Sequence, residues 1–129
     1  MKISDSLQVA TQLAHADIST ARTSAYVSVA GASRILAALV IAAIADTKAV
    51  TVQLKQATDS SGTGAKVLGS AVVYTASGAK TNVSVIAEAQ VDTLDLANGF
   101  GFVAVTISSN DAASAAGVTV FKGGNRFNP

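Results

Sequence analysis

Alternation of apolar and polar residues predicts β-strands along most of the chain. In residues 50–57, aliphatic side chains alternate with polar ones, which is typical of a strand with one dry and one solvent-facing side. Residues 35–45 are apolar at every position, so both faces of this predicted strand are hydrophobic. Such a strand must be covered on both sides, which places it in mid-sheet or beneath another layer or subunit. A short polar turn, residues 46–48, joins these two strands.

Further segments with β character follow a similar spacing. They are residues 25–30, 69–76, 81–87, 100–108 and 117–122. Residues 58–64 (TDSSGTG) predict a loop, because these residue types tolerate turn geometry. Residues 88–98 break the alternation and predict an irregular turn or a short helix. Roughly seven or eight short strands with frequent turns predict an all-β fold, an antiparallel β-sandwich or barrel.

The first part of the chain has a weaker pattern. The spacing of Ile3, Leu7, Ala10 and Leu13 or Ala14 is compatible with a helix, and Ser4 is a candidate N-cap. Their apolar stripe is narrow and half alanine, so an isolated helix would be marginal. We therefore expect residues 1–23 to form an N-terminal arm with one or two helical turns, before a β-sandwich domain at residues 24–129. The alternative is an extended arm lying on the body or on a neighbouring molecule.

Composition narrows the possible partners. The chain has 129 residues, enough for one domain, and its formal net charge is +1. A nearly neutral protein exerts no strong attraction on nucleic acid or an anionic membrane, and we expect neither as a partner. The absence of cysteine excludes disulfides and thiolate metal sites. No stretch has signal-peptide character, and the longest apolar run is too short for a membrane helix, which needs about 20 residues.

Groups that could carry catalysis are sparse. His15 is the single histidine and lies near Asp17, but no serine occupies a strained elbow motif that would complete a triad. The glycine-containing segments around Lys66 and Lys80 lack the order of a phosphate-binding loop. We expect no catalytic residues and no cofactor, and therefore no enzymatic activity.

Two groups of residues have partial metal-site or acid–base character. Asp59, Ser61 and Thr63 have the spacing that begins a calcium loop, but the further acids and the closing glutamate are missing. A second group comprises Glu88, Asp92 and Asp95. If these carboxylates met, one would have a raised pKa and could act as an acid. We expect solvated turn residues in both cases, and no bound metal.

Three stretches of the chain resemble one family of virion proteins. They are residues 50–69 (VTVQLKQATDSSGTGAKVLG), 88–109 (EAQVDTLDLANGFGFVAVTISS) and 117–129 (GVTVFKGGNRFNP). Their hairpin, their Leu-Asp segment entering a strand, and their final strand with Gly, Arg and Pro resemble the small capsid decoration, or cement, proteins of tailed bacteriophages. The resemblance implies an antiparallel β-sandwich or jelly-roll-like domain on the outside of an icosahedral head.

This resemblance also implies a function and a location. The protein would be made in the host cytoplasm, bind the major capsid protein on the outer capsid surface and bridge its subunits, with a dimer or trimer as the expected homo-oligomer. The candidate interface residues are Ile3, Leu7 and Leu13 in the arm, and Val40 and Ala42 on the doubly apolar strand. The alternative is a carbohydrate-binding or host-adhesion β-sandwich module of a virion fibre or a cell surface.

Overall fold

A computed structural model describes residues 7–111 and 115–123, which form two antiparallel β-sheets. The strands in chain order are β1 (Leu7–Asp17), β2 (Arg22–Thr23), β3 (Val27–Ser28), β4 (Arg34–Ile44), β5 (Ala49–Ala57), β6 (Lys66–Val67), β7 (Val72–Thr75), β8 (Lys80–Gln90), β9 (Phe102–Ser109) and β10 (Ala115–Gly123). Two short 3₁₀ helices, Val91–Thr93 and Leu96–Asn98, lie between β8 and β9.

The two sheets have equivalent layouts. The first sheet has the order β1–β10–β4–β8. In the second sheet, β9 and β5 are central, with β2 and β3 along the outer side of β9 and β6 and β7 along the outer side of β5. The chain changes sheet at every connection outside the β2–β3 and β5–β6–β7 runs. Four strand positions in each sheet and frequent crossing define an antiparallel, jelly-roll-like β-sandwich, which confirms the predicted fold class.

Strands β4 and β5, which follow each other in the sequence, form opposite sides of the core. The inward side chains of β4, such as Leu39 and Ile41, are at most 1% exposed, as are Val50 and Val52 of β5. These two strands do not pair with each other, because β4 lies between β10 and β8 while β5 lies beside β9. The turn between them therefore carries the chain from one sheet to the other and closes no hairpin.

The core is one continuous cluster of aliphatic side chains from both sheets. Its fully buried larger members are Ile18, Ile35, Leu39, Ile41, Val50, Val52, Val103, Val105, Ile107 and Val120. Burial of each such side chain stabilises the fold by about 1.5–3 kcal/mol. The inward faces of the two sheets thus make similar contributions.

The segment predicted as an arm is part of the sandwich. Leu7–Asp17 is a strand that pairs antiparallel with β10, so the predicted helical turns are wrong there. The segment is extended and lies on the body of the sandwich, as in the alternative, because it pairs with β10 and Leu13 packs against the core. Ile18, just after the strand, is fully buried. Residues 1–6, including Ile3, lie outside the described residues.

Other predicted elements differ mainly at their ends. The predicted loop at residues 58–64 is confirmed, and it closes the hairpin in which Lys55 lies opposite Val67. The predicted strand at residues 25–30 is reduced to β3, because the chain turns after Val29, whose carbonyl accepts a hydrogen bond from the amide of Ala32 at 3.0 Å. β8 is longer than predicted and continues to Gln90, whereas the last residues of the predicted tail, 124–129, lie outside the described residues.

Candidate interaction surface

Alternate residues of the first sheet point away from the core and form its outer surface, which we call the first-sheet face. It comprises Val9 of β1, Leu36, Ala38 and Val40 of β4, Ser84, Ile86 and Glu88 of β8, and Gly117, Thr119 and Phe121 of β10. The strand registers place these residues in rows across the sheet, and most of them are apolar or small.

Val40 lies near the middle of this face. Its neighbours across the sheet are Gly117 on β10 and Ser84 on β8, and its side chain is 47% exposed. The next row contains Ala38 beside Ile86, which is 59% exposed. The doubly apolar strand therefore has one side in the core and the other on the protein surface. Three of the six exposed large hydrophobic side chains of the described residues, Val9, Val40 and Ile86, lie on this face, so it is a candidate contact surface.

Ala42, the second interface residue predicted on β4, lies at the end of the face. The ladder between β4 and β10 skips Ala42, which forms a β-bulge between Ile41 and Ala43. A bulge shifts the alternation of a strand by one residue, and Ile44 accordingly returns to the core at 2% exposure. Ala42 itself is half-buried. The structure thus brings Val40 to the centre of the surface and Ala42 to its border.

The predicted arm residues do not join this surface as a group. Leu13 packs against the core and is therefore not an outward anchor. Leu7 lies opposite Gly123 at the start of β1, and Ile3 lies outside the described residues. The role of these two residues in an interface stays a prediction.

Sequence reasoning missed several members of the face. Ile86 is an example, because the pattern of residues 81–87 predicts a strand but does not predict which side of that strand is buried. Val85 and Ala87 are buried, while Ile86 stands among the polar outward residues Ser84 and Glu88. An aliphatic residue on the otherwise polar side of an alternating strand is a signal that could have identified it.

Charges lie only at the borders of the first-sheet face. At one end, Arg34 Nη1 is 3.1 Å from Glu88 Oε1, and both side chains are about half exposed or more. Lys80 begins β8 at the opposite end of the sheet. The rows between these ends are uncharged, so contacts there depend on shape and apolar area and not on electrostatic attraction.

The outer surface of the second sheet is different, and we call it the second-sheet face. It comprises Thr51, Gln53 and Lys55 of β5, Val73 and Thr75 of β7, and Thr106 and Ser108 of β9. Thr106 Oγ1 lies 2.9 Å from Thr23 Oγ1 on the neighbouring strand. Gln53 Nε2 donates to Leu54 O at 2.7 Å. Val67 of β6, opposite Lys55, and Val73 are exposed there at 58% and 57%, whereas the other members of this face are polar and several of them have partners within the chain.

The acidic residues singled out in the sequence do not converge. Glu88 pairs with Arg34, whereas Asp95 Oδ2 lies 2.6 Å from Lys66 Nζ. The hydrogen bond from Lys66 is the main cause that lowers the pKa of Asp95, with a further contribution from Asn98. Glu88 and Asp95 therefore belong to separate ion pairs within the described part of the chain, and they do not form the joint acidic site that acid–base catalysis would need.

The ion pair between Lys66 and Asp95 connects the loop between β8 and β9 to the second sheet. Lys66 Nζ also lies 4.1 Å from the centre of the Phe100 ring, an arrangement that favours cation–π attraction. The amide of Asp95 donates to the side-chain oxygen of the buried Gln56 at 2.8 Å. These contacts hold the end of the Leu96–Asn98 segment against the β5–β6 hairpin and have a structural role.

The candidate calcium loop is a hydrogen-bonded turn. Asp59 Oδ1 accepts bonds from the amides of Ser61 at 2.9 Å and Thr63 at 3.1 Å. Hydrogen bonding from Thr63 is the main cause that lowers the pKa of Asp59. Within residues 7–111 and 115–123, no group of three or more His, Cys, Asp or Glu side chains could hold a metal ion. In the same ranges, no helix has the length and apolar character needed to cross a membrane.

Comparison with known proteins places the chain near viral capsid structures at low similarity. No protein-family model matches the chain, and no curated protein matches it. Cowpea mosaic virus top component gives a TM-score of 0.43 at 13% identity over 76% of this chain and 61% of the other. Broad bean stain virus gives 0.42 at 14% identity over 84% of this chain and 65% of the other. The chain thus spans less than two thirds of the capsid chains that it matches.

Proposed function

We propose that this protein is a structural virion component that decorates the outer surface of a tailed-phage head, bridging major capsid subunits. The observation that carries the proposal is the first-sheet face, an exposed apolar surface centred on Val40 and Ile86. Exposed apolar surfaces of this kind are typical of sites that contact another macromolecule. We propose a structural role and no enzymatic one.

The location of the face fits a shell-binding protein. Its members belong to four hydrogen-bonded strands, so the surface is held rigid by the sheet and loses little entropy on binding. A regular lattice presents many equivalent sites, and neighbouring contacts add through valency. Modest affinity for each copy is therefore enough for stable decoration of a shell.

The resemblance to decoration proteins supports the same proposal. The QATDSSGTGAK stretch forms the β5–β6 hairpin, and the LDLANGF stretch leads into β9. Jelly-roll domains serve both as capsid proteins and as lectins, so the fold alone does not separate the two. A carbohydrate-binding or adhesion module is the alternative. Such a module would bind a sugar ligand and would not require a capsid shell.

Binding to purified, expanded, empty phage heads tests the proposal. The variant Val40→Lys/Ile86→Lys places charges at the centre of the first-sheet face, where both side chains are exposed and tolerate replacement. We expect shell affinity to fall by roughly 30- to 100-fold, because two partly buried aliphatic contacts are lost. We expect the melting temperature to change little. Co-sedimentation with heads measures the first quantity, and thermal denaturation measures the second.

The matched control is Thr51→Lys/Thr75→Lys on the second-sheet face, which adds the same charge on the opposite side of the sandwich. This control should bind heads as tightly as the unmodified chain. Equal loss of binding in both variants would mean that net charge and not the first-sheet face governs binding. Saturable binding to a glycan array without any binding to heads would contradict the decoration role and favour the alternative.

A further inference from the structure

The four sheet edges of the sandwich differ in how well they are protected against pairing with another strand. An open edge exposes unpaired backbone groups, and proteins protect it with short strands or bulges. β2, β3 and β6 have two residues each and β7 has four, so both edges of the second sheet are short. β1 has 11 residues, but its ladder shifts register twice.

The remaining edge, β8, lacks these protections. It has 11 residues and keeps a single register with β4 from Lys80 to Gln90. Its central residues, 83–87 (VSVIA), contain no proline and no charge. Among the described residues, β8 pairs with β4 only, so its other side is open. β8 is thus a long edge strand with an uncharged centre and a positive φ of 53° at Asn82, and a long edge strand is a template for strand addition.

We propose that β8 pairs antiparallel with β8 of a second copy of this chain, around a two-fold axis at Ser84. Charge complementarity argues for this occupant. Lys80 and Glu88 lie four residues before and after Ser84, so antiparallel pairing places Lys80 opposite Glu88 of the partner subunit. A parallel arrangement would instead place like charges side by side.

The space beside β8 also suits a partner strand. A groove of about 620 Å³ lies between the end of β8 and the second sheet, and its lining includes Leu54, Leu68, Val72 and Ala87. In the proposed register, Ala87 is opposite Thr81 of the partner subunit. The small side chain of Thr81 of the partner subunit would point toward the groove, so the added strand fits without displacing the second sheet.

The pairing would enlarge the surface on which the proposed function rests. Four strands of about nine residues cover on the order of 600 Å², given the spacing of strands and residues in a sheet. A stable protein interface buries about 800 Å² on each partner, so a single first-sheet face is slightly small. Two copies joined through β8 would form one continuous eight-stranded sheet, with Ile86 of each copy close to the seam, and would exceed this area.

Sedimentation equilibrium of the full chain, over a range of concentrations, tests the dimer. The variant Ser84→Lys places two like charges opposite each other at the two-fold axis, and Ser84 is exposed, so the fold is kept. We expect its dimer dissociation constant to rise by on the order of tenfold or more. Thr75→Lys on β7, an exposed residue of the other sheet, is the matched control and should leave the constant unchanged.

A charge exchange gives an independent test. Lys80 and Glu88 of one chain are about 27 Å apart along the strand, so they do not contact each other within a chain. Lys80→Glu and Glu88→Lys should each weaken the dimer several-fold, while the double variant should recover part of the loss. Glu88→Lys also loses the Arg34 ion pair, and the recovery is therefore measured against the Glu88→Lys single variant.

Two results would overturn the proposed dimer. One is a chain that stays monomeric at millimolar concentration with rapidly exchanging β8 amides. The other is a dimer that persists in Ser84→Lys and is broken by Val40→Lys, which would indicate pairing through the first-sheet face. Head binding separates the two proposals: a monomeric chain that still decorates heads overturns only the dimer, whereas a β8 dimer that does not bind heads overturns only the decoration role.

Discussion

The two outer surfaces of the sandwich differ although their inner surfaces are alike. Both sheets present aliphatic side chains inward, such as Leu39 in the first and Val105 in the second, and both are fully packed. Outward, the first sheet presents Val40 and Ile86, whereas the second presents Thr51 and Thr106. Folding of one chain requires the inward pattern only. The exposed apolar side chains of the first sheet lie outside the core that holds the two sheets together, and they support the partner proposed above.

The edges show the same asymmetry. The second sheet ends in short strands on both sides, which resist pairing with other chains. The first sheet ends in β8, a long strand that keeps one register with β4. The apolar face and the open edge belong to the same sheet, so both features that suit intermolecular contact lie together, and the other sheet serves mainly to complete the core.

The largest effect should come from comparing the two sides of β4. Leu39→Ala removes a side chain that is 1% exposed, and we expect the free energy of unfolding to fall by about 2–5 kcal/mol through lost burial and a residual cavity. Val40→Ala, at the next position, should cost about 1 kcal/mol or less, because Val40 is exposed in the single chain. Urea denaturation of both variants measures the difference. Equal losses of unfolding free energy in the two variants would show that Val40 is buried within the monomer. The two sides of β4 would then not differ as described.

A smaller effect is expected from the polar side chains of the second-sheet face. Thr106→Val removes the hydrogen bond to Thr23 and should lower the free energy of unfolding by about 0.5–1 kcal/mol. Adding Thr23→Val should recover part of this loss, since no hydroxyl is then left without its partner. Thr119→Val on the first-sheet face is the matched control, and chemical denaturation should show no loss there. A larger effect at Thr119 than at Thr106 would contradict the distinction.

The smallest effect should be a pH dependence carried by the loop that borders the second sheet. The pKa of Asp95 is lowered in the folded state, chiefly by Lys66, so its stabilising contribution is present above the unfolded pKa of about 3.9. The contribution is lost as the pH falls through the lower folded value, because protonation then favours the unfolded chain.

Asp95→Asn isolates this contribution. The unmodified chain should lose stability more steeply than Asp95→Asn as the pH falls below about 4, and the two curves should run parallel near neutrality. Denaturation midpoints measured across this range give the slopes. Asp59 also has a lowered pKa, so some acid sensitivity should remain in the variant. Identical slopes would show that the Lys66–Asp95 contact contributes nothing to stability.

Local patterns predicted much of the sandwich because alternation depends on neighbouring residues alone. The clean alternation of residues 50–57 corresponds to β5, whose Val50, Val52 and Leu54 are buried. The turn-forming composition of residues 58–64 likewise predicted a loop that Asp59 stabilises through its own hydrogen bonds. In these segments, short-range chemistry and the final fold agree.

The error at β1 has an identifiable physical cause. Its ladder shifts between Val9 and Thr11 and again between Leu13 and Ala16, and each shift breaks the period of two. Without a regular alternation, the spacing of Leu7 and Leu13 suggested a helix. The strand exists because β10 lies alongside it, and every pair of that ladder joins residues more than 90 positions apart.

The local pattern was therefore enough to predict the all-β class, the strand character of β4 and β5, and the presence of an unusually apolar strand. It did not predict that β4 and β5 belong to different sheets, that Leu39 faces the core while Val40 faces outward, or that β8 ends its sheet. The reason is that alternation specifies two sides of a strand but not which side is covered, nor which strand lies alongside. Those choices depend on contacts between distant parts of the chain.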